Sequence, residues 1–204
     1  IDQTTDTPTN NFATKNSNSK NSNITLSNGN LSASTTYTTD NATVYSTFGV
    51  STGKWYWEVK YTTGILNDGA GFVGILGSQK QDTGNGFRPG LEGIQLDRTG
   101  RIQNDNVNTS SYLSAISVGN IIGVALDATN KQVKFNIDGG TFGSDLNFNS
   151  SYDVFIPASD IRATSGTPLV EYNFGNAPYT IASGNADGND YGNFEYAVPT
   201  GYLS

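Results

Sequence analysis

Residues 119–140, GNIIGVALDATNKQVKFNIDGG, constrain the fold more than any other stretch of the chain. Ile122, Val124 and Leu126 alternate with Ile121, Gly123, Ala125 and Asp127. After a polar turn over 128–131, Val133, Phe135 and Ile137 alternate with Gln132, Lys134, Asn136 and Asp138. A side-chain period of two through both segments predicts a pair of antiparallel strands, not a helix. Asp138-Gly139-Gly140 predicts a second tight turn with a permissive backbone. The wet face predicts that one side of the ribbon meets solvent and the other a core. An all-β fold follows, with two antiparallel sheets packed as a β-sandwich.

Other segments extend the pattern. Asn28-Gly29 between two short apolar stretches is a hairpin signal. Residues 43–50 predict a strand. In 53–61 Trp55, Trp57, Val59 and Tyr61 share one face, so both tryptophans of the protein are expected to pack in the core. The apolar run 72–76 predicts a strand covered on both sides. Residues 94–103 predict a hairpin in which Gly100 takes a left-handed conformation. Residues 154–156 and 169–174 complete the strand set. Residues 1–22 are mostly Thr, Asn and Ser and predict a polar arm or linker. Residues 23–175 form the predicted sandwich. The aromatic, Gly-rich tail 176–204 is expected to pack on the sandwich or on a neighbour.

Composition narrows the chemistry. A chain of 204 residues suits one all-β domain. The net charge is −7, and no window carries the basic stripe that phosphate backbones require, so nucleic acid is not an expected partner. No apolar run approaches the length of a membrane-spanning helix. Cysteine is absent, which excludes disulfides and thiolate metal sites. Histidine is absent too, which removes the commonest general base and metal ligand. With no methionine at position 1, the chain is expected to be a processed product or a piece of a longer protein.

Five landmarks in order carry a family resemblance: Gly53-Lys54-Trp55-Tyr56-Trp57-Glu58-Val59, Val73-Gly74-Ile75, 119–126, 133–139, and Tyr172-Asn173-Phe174-Gly175. Together they resemble SPRY domains over residues 24–175. The resemblance implies a concanavalin A-like jelly roll and a recognition module that binds partners through loops, without catalysis. Asn120 stands where that family often carries Asp. The segments 23–31 and 183–199 are similar to SPRY-like modules in structural proteins of bacteriophages. That similarity implies a virion or extracellular location and a part in a tail fibre, tail or capsid decoration. Its expected partners are other virion proteins and a host surface glycan or protein. A purely structural subunit is the alternative, and a polysaccharide hydrolase the third reading.

Candidate residues follow from chemistry. Glycoside hydrolysis needs two carboxylates about 5–10 Å apart across a cleft. Each glutamate here (58, 92, 171, 195) lacks an acidic neighbour on its own strand, so no catalytic residue is expected. Loops are expected to bind: aromatics Phe87, Tyr112, Phe142 and Tyr152 for stacking, Arg88, and Asn67, Asp68, Asn104 and Asp105 for hydroxyl contacts. Asp187, Asn189 and Asp190 place oxygens in a Gly turn and are the candidate calcium ligands; no other cofactor is expected.

Overall fold

The computed structural model describes residues 11–70, 72–78, 93–104, 107–109, 111–147 and 153–204. Among these, the strands are β1 (Lys15–Lys20), β2 (Thr25–Ser27), β3 (Ser32–Ser34), β4 (Ala42–Ser46), β5 (Lys54–Leu66), β6 (Val73–Gly77) and β7 (Gly93–Leu96). They continue with β8 (Ile102–Asn104), β9 (Val107–Thr109), β10 (Ile121–Asp127), β11 (Gln132–Ile137), β12 (Leu146–Asn147), β13 (Phe155–Ile161) and β14 (Ala163–Asn173). One sheet has the order β1-β4-β13-β6-β7-β8-β9 and the other β12-β11-β10-β5-β14-β3-β2. The strands of both pair antiparallel, which makes the predicted two-sheet sandwich.

The ribbon at 119–140 is β10 and β11, with Val124 opposite Phe135 and Leu126 opposite Val133. Asp127 closes its turn, accepting from Asn130 N at 2.9 Å and Asn130 Nδ2 at 2.8 Å. Asp138 and Gly139 both take positive φ at its far end, as a tight reversal there requires. Asn120 has a definite task beside that turn. Its Oδ1 accepts from Ser117 N at 2.7 Å and its Nδ2 donates to Asp138 Oδ2 at 2.5 Å. An aspartate at 120 would set a second carboxylate against Asp138, so the amide suits this turn better than the acid.

The inner faces meet in one cluster. Trp57, Val59, Val124, Phe135 and Tyr172 from the second sheet pack with Val44, Val73, Ile75, Ile94 and Phe155 from the first. Each such side chain contributes about 1.5–3 kcal/mol on burial. Strand β6 is buried along its whole length, as its continuous apolar run predicts.

Two expectations need correction. The outer face of the ribbon meets solvent only in part: Ala125, Asp127 and Asn136 are buried, while Gln132 and Lys134 are half-buried and Asp138 is exposed. The tail covers part of that face, where Phe194 and Tyr202 form a second apolar cluster with Tyr56 and Ala125. The wet-looking pattern misleads because a Gly-rich cover can hydrogen-bond to polar side chains beneath it. In addition, the segment read as an arm supplies a strand. β1 pairs with β4, and Asn21 N donates to Thr43 O at 2.8 Å. Backbone pairing and the single buried side chain of Lys15 hold it, so no apolar alternation marks it in the sequence.

Gly100 turns the β7–β8 hairpin at φ 81°. A Cβ there would lie 2.2 Å from the carbonyl oxygen of Leu113, which belongs to the loop packed across this turn. Gly100→Ala combines left-handed strain with a backbone collision, and is expected to cost about 2 kcal/mol in denaturant unfolding.

Candidate functional site

Strand β14 ends at Asn173, opposite Glu58 of β5. The first four residues of β5, 54–57, therefore have β10 on one side and no β14 on the other. The tail enters that place. Leu203 N donates to Lys54 O at 2.9 Å, Tyr56 N donates to Leu203 O at 2.7 Å, and Leu203 bridges Trp55 in parallel. A groove of about 400 Å³ opens beside it, lined by Phe12, Phe48, Val50, Trp55, Tyr56, Phe174 and Ser204 among others. A second hollow of about 320 Å³ is lined by Asn11, Phe12, Trp55, Asp187, Asn189, Tyr191, Leu203 and Ser204. The two share Asn11, Phe12, Trp55 and Ser204 as lining residues, so they adjoin. Sandwich residues form their floor, and tail residues form a wall.

Trp55 is the central aromatic. Its indole N–H donates to Thr52 O at 2.8 Å, and the side chain is half-buried. Phe48 supports it at 6.1 Å between centroids, and Phe48 meets Phe174 edge-on at 5.7 Å. Tyr191 stands on the rim, 52% exposed.

The wall is anchored by two buried carboxylates. Glu58 Oε1 accepts from Tyr196 N at 2.8 Å and from the Tyr56 hydroxyl at 3.2 Å. Its Oε2 accepts from Glu195 N at 3.0 Å, Asn173 Nδ2 at 3.2 Å and the Tyr179 hydroxyl at 3.4 Å. Burial pushes the Glu58 carboxyl up, against the pull of these donors. Asp187 Oδ1 accepts from Asn189 N at 2.8 Å and Tyr191 N at 3.1 Å, while Oδ2 accepts from Ser204 N and Ser204 Oγ, both at 2.8 Å. Burial alone would raise the Asp187 carboxyl, but these donors together hold it below the usual range.

That arrangement redefines the candidate calcium turn. Asp187 organises the turn and ties it to Ser204. Asn189 takes part through its backbone N–H, and Asp190 adopts φ 63°. No group of three His, Cys, Asp or Glu suited to a metal occurs among the described residues.

The predicted loop residues divide. Asn67 accepts from Gly69 N at 3.0 Å, and Asp68 pairs with Arg98. Tyr112 is a packing residue: its hydroxyl donates to Ser144 O at 2.7 Å, accepts from Phe135 N at 3.3 Å, and its ring meets Phe135 edge-on at 6.2 Å. Burial pushes that hydroxyl up to about 12. Phe142 packs against the outer cluster of Tyr56 and Phe194, with Lys134 Nζ 5.8 Å from its ring. These residues are not gathered at the groove. Asn104 ends β8, with its side chain outside the described residues. Phe87, Arg88, Asp105 and Tyr152 lie outside them altogether.

Trp55 is the site residue the sequence reading assigned elsewhere. It shares a strand face with Trp57; Trp57 lies in the core at 2% exposure, and Trp55 is half-buried, packed against the edge of that core. The missing signal is topological: β14 fills that side of β5 only from Glu58 onward, and at Trp55 its place is taken by Leu203 of the tail.

One pair of acids is formed across two strands and is not visible along either one. Glu58 on β5 lies opposite Asn173, and Glu171 lies opposite Lys60, so both glutamates come to the outer face of neighbouring strands. Neither lines the groove. Glu171 accepts from the Thr62 hydroxyl at 2.6 Å and the Ser32 hydroxyl at 3.5 Å.

No family's sequence profile matches the chain, and no curated protein does. Solved structures do match in fold. The SPRY domain of human HERC1 aligns with a TM-score of 0.63 at 15% identity, over 78% of this chain and 96% of that one. The PSpry domain of TRIM65 aligns with a TM-score of 0.55 at 15% identity, over 79% and 91%. Stonustoxin aligns with a TM-score of 0.56 at 16% identity, over 79% of this chain but 27% of its own. The chain has the SPRY-like β-sandwich fold.

Proposed function

We propose that this domain is a non-catalytic recognition module, and that it binds in the groove between β5 and the tail. The observation that carries the reading is the half-buried Trp55 side chain, which lines two adjoining hollows large enough for a ligand. Absence of catalysis is supported by the acids. Asp187 is the one acid lining either hollow among the described residues, and both its oxygens are engaged by neighbours. The SPRY-like fold, whose members generally mediate interactions, supports the same reading.

The setting we propose is a bacteriophage virion appendage, where the module meets a host surface glycan or protein. The similarity of segments 23–31 and 183–199 to phage structural modules supports it. Labelled domain incubated with a panel of bacterial cells tests the reading. Binding to some strains is expected, with Trp55→Ala reducing it about tenfold and Tyr112→Ala, corrected for folded fraction, leaving it near the parent value. A purely structural subunit would bind no cell at any concentration. Release of reducing ends from cell-wall or capsular polysaccharide would contradict the non-catalytic reading.

A further inference from the structure

The hollow of about 320 Å³ brings aromatic carbon and a negative charge to one place. Phe12, Trp55 of β5 and Tyr191 of the tail supply the rings, and Asp187 supplies the carboxylate. Burial alone would raise that carboxyl, but its four donors hold it below the usual range, so it is ionised at neutral pH. Each of its oxygens already accepts two hydrogen bonds. Its acceptor sites are therefore filled, and its charge reaches a ligand through space. Asp187 also accepts from the main-chain N–H of Tyr191 at 3.1 Å, which ties the residue that carries one ring to the residue that carries the charge.

This lining ranks ligands by charge. An apolar ligand would bury an ionised carboxylate further and return nothing to it. A neutral polar ligand gains nothing from the charge. A cation gains from the carboxylate at short range and from the field of a chain with net charge −7 at long range. Aromatic side chains favour a cation as well. The filled oxygens of Asp187 then rank cations among themselves. A primary ammonium or a guanidinium brings N–H groups that need acceptors, and Asp187 has no free lone pair for them. A quaternary ammonium has no N–H to satisfy, and its outer shell is apolar methyl, which suits aromatic carbon.

Resting on the recognition reading above, we infer that the hollow lined by Phe12, Trp55, Tyr191 and Asp187 binds a quaternary ammonium group, carried as a substituent on the recognised glycan or protein. The tail supplies Asp187 and Tyr191, so the docked tail is a condition for binding.

Tryptophan fluorescence gives the test, because Trp57 is buried in the core while Trp55 lines the hollow. Choline and tetramethylammonium are expected to change the emission saturably. The uncharged isostere of choline, 3,3-dimethyl-1-butanol, should bind about tenfold more weakly or not at all, and n-butylammonium severalfold more weakly than tetramethylammonium. Raising the ionic strength to about 0.5 M should weaken choline binding severalfold. Tyr191→Ala keeps the main-chain N–H that Asp187 binds and removes a ring that is 52% exposed, so it should weaken binding severalfold in a folded protein. Trp55→Phe is a second variant that keeps an aromatic packing surface, and calorimetry reads both. Free choline should also compete with binding of the labelled domain to cells. Loss of the competed binding after protease treatment of the cells assigns the substituent to a protein, and its survival assigns it to a glycan. The inference is overturned if neither quaternary probe binds, if the uncharged isostere binds equally well, or if neither variant weakens binding. Cell binding that depends on Trp55 and is indifferent to choline would overturn the cation assignment and leave the recognition reading intact. Loss of both would end the two together.

Discussion

Glu58→Ala is expected to free the tail and lower the thermal midpoint by about 10 °C. The carboxylate accepts five hydrogen bonds: two from main-chain N–H groups of the tail and three from Asn173, Tyr56 and Tyr179. Removing it leaves those donors with no acceptor in a buried place. Each orphaned donor costs about 1–3 kcal/mol, although detachment of the tail lets water satisfy some of them. A net loss of about 3–5 kcal/mol follows, which for a domain of this size is about 10 °C. The local consequence is more diagnostic than the midpoint. Amides of 193–196 should exchange quickly in the variant, and protease should cut within 176–204 while the sandwich survives. Glu58→Gln should fall between, because its NH₂ cannot accept from the N–H donors grouped on one oxygen. Unchanged exchange at 193–196 in Glu58→Ala would show that Phe194 and Tyr202 hold the tail without the carboxylate.

The latch explains why the site is harder to read from sequence than the fold. Alternation in β10 and β11, the Gly100 hairpin and the apolar run of β6 are local patterns, and each has its predicted place. The outer face of β5 is different. Glu58 and Tyr56 alternate with core residues and look like a solvated face. They are buried because a segment about 135 residues away lies over them, and no periodicity within β5 records that cover. Trp55 is misassigned for the same reason in reverse: its pattern is that of a core residue, but its neighbour strand stops short. Lys15 is a third case. It sits in a polar segment with no apolar companion, and only the register of β1 against β4 carries its side chain inward.

Lys15 gives the fold a dependence on pH that a single substitution should abolish. The side chain is 1% exposed, with Nζ 4.0 Å from the centre of the Tyr172 ring and 5.9 Å from that of Phe174. The two rings attract a cation by about 2 kcal/mol. Lost hydration is the larger effect, and burial lowers the ammonium from 10.5 to about 7. A group whose value is depressed in the folded state contributes stability that is fully present above its unfolded value and is lost as pH falls through its folded value. Unfolding free energy should therefore rise from pH 7 toward pH 9.5, by about 3 kcal/mol at 1.36 kcal/mol per unit. Above pH 10 the slope should reverse. Burial raises the hydroxyls of Tyr56, Tyr172 and Tyr179, so the unfolded chain ionises there first. Lys15→Met keeps a long apolar stem in the same space and has nothing to titrate, so its stability should be flat from pH 7 to 9.5 in urea unfolding. The gap between variant and parent should narrow as the parent's lysine loses its proton. A slope retained in the variant would assign the effect to another group. A parent that is no more stable at pH 9.5 than at pH 7 would mean that the two rings hold the ammonium charged, and that attraction to the aromatic faces outweighs the loss of water.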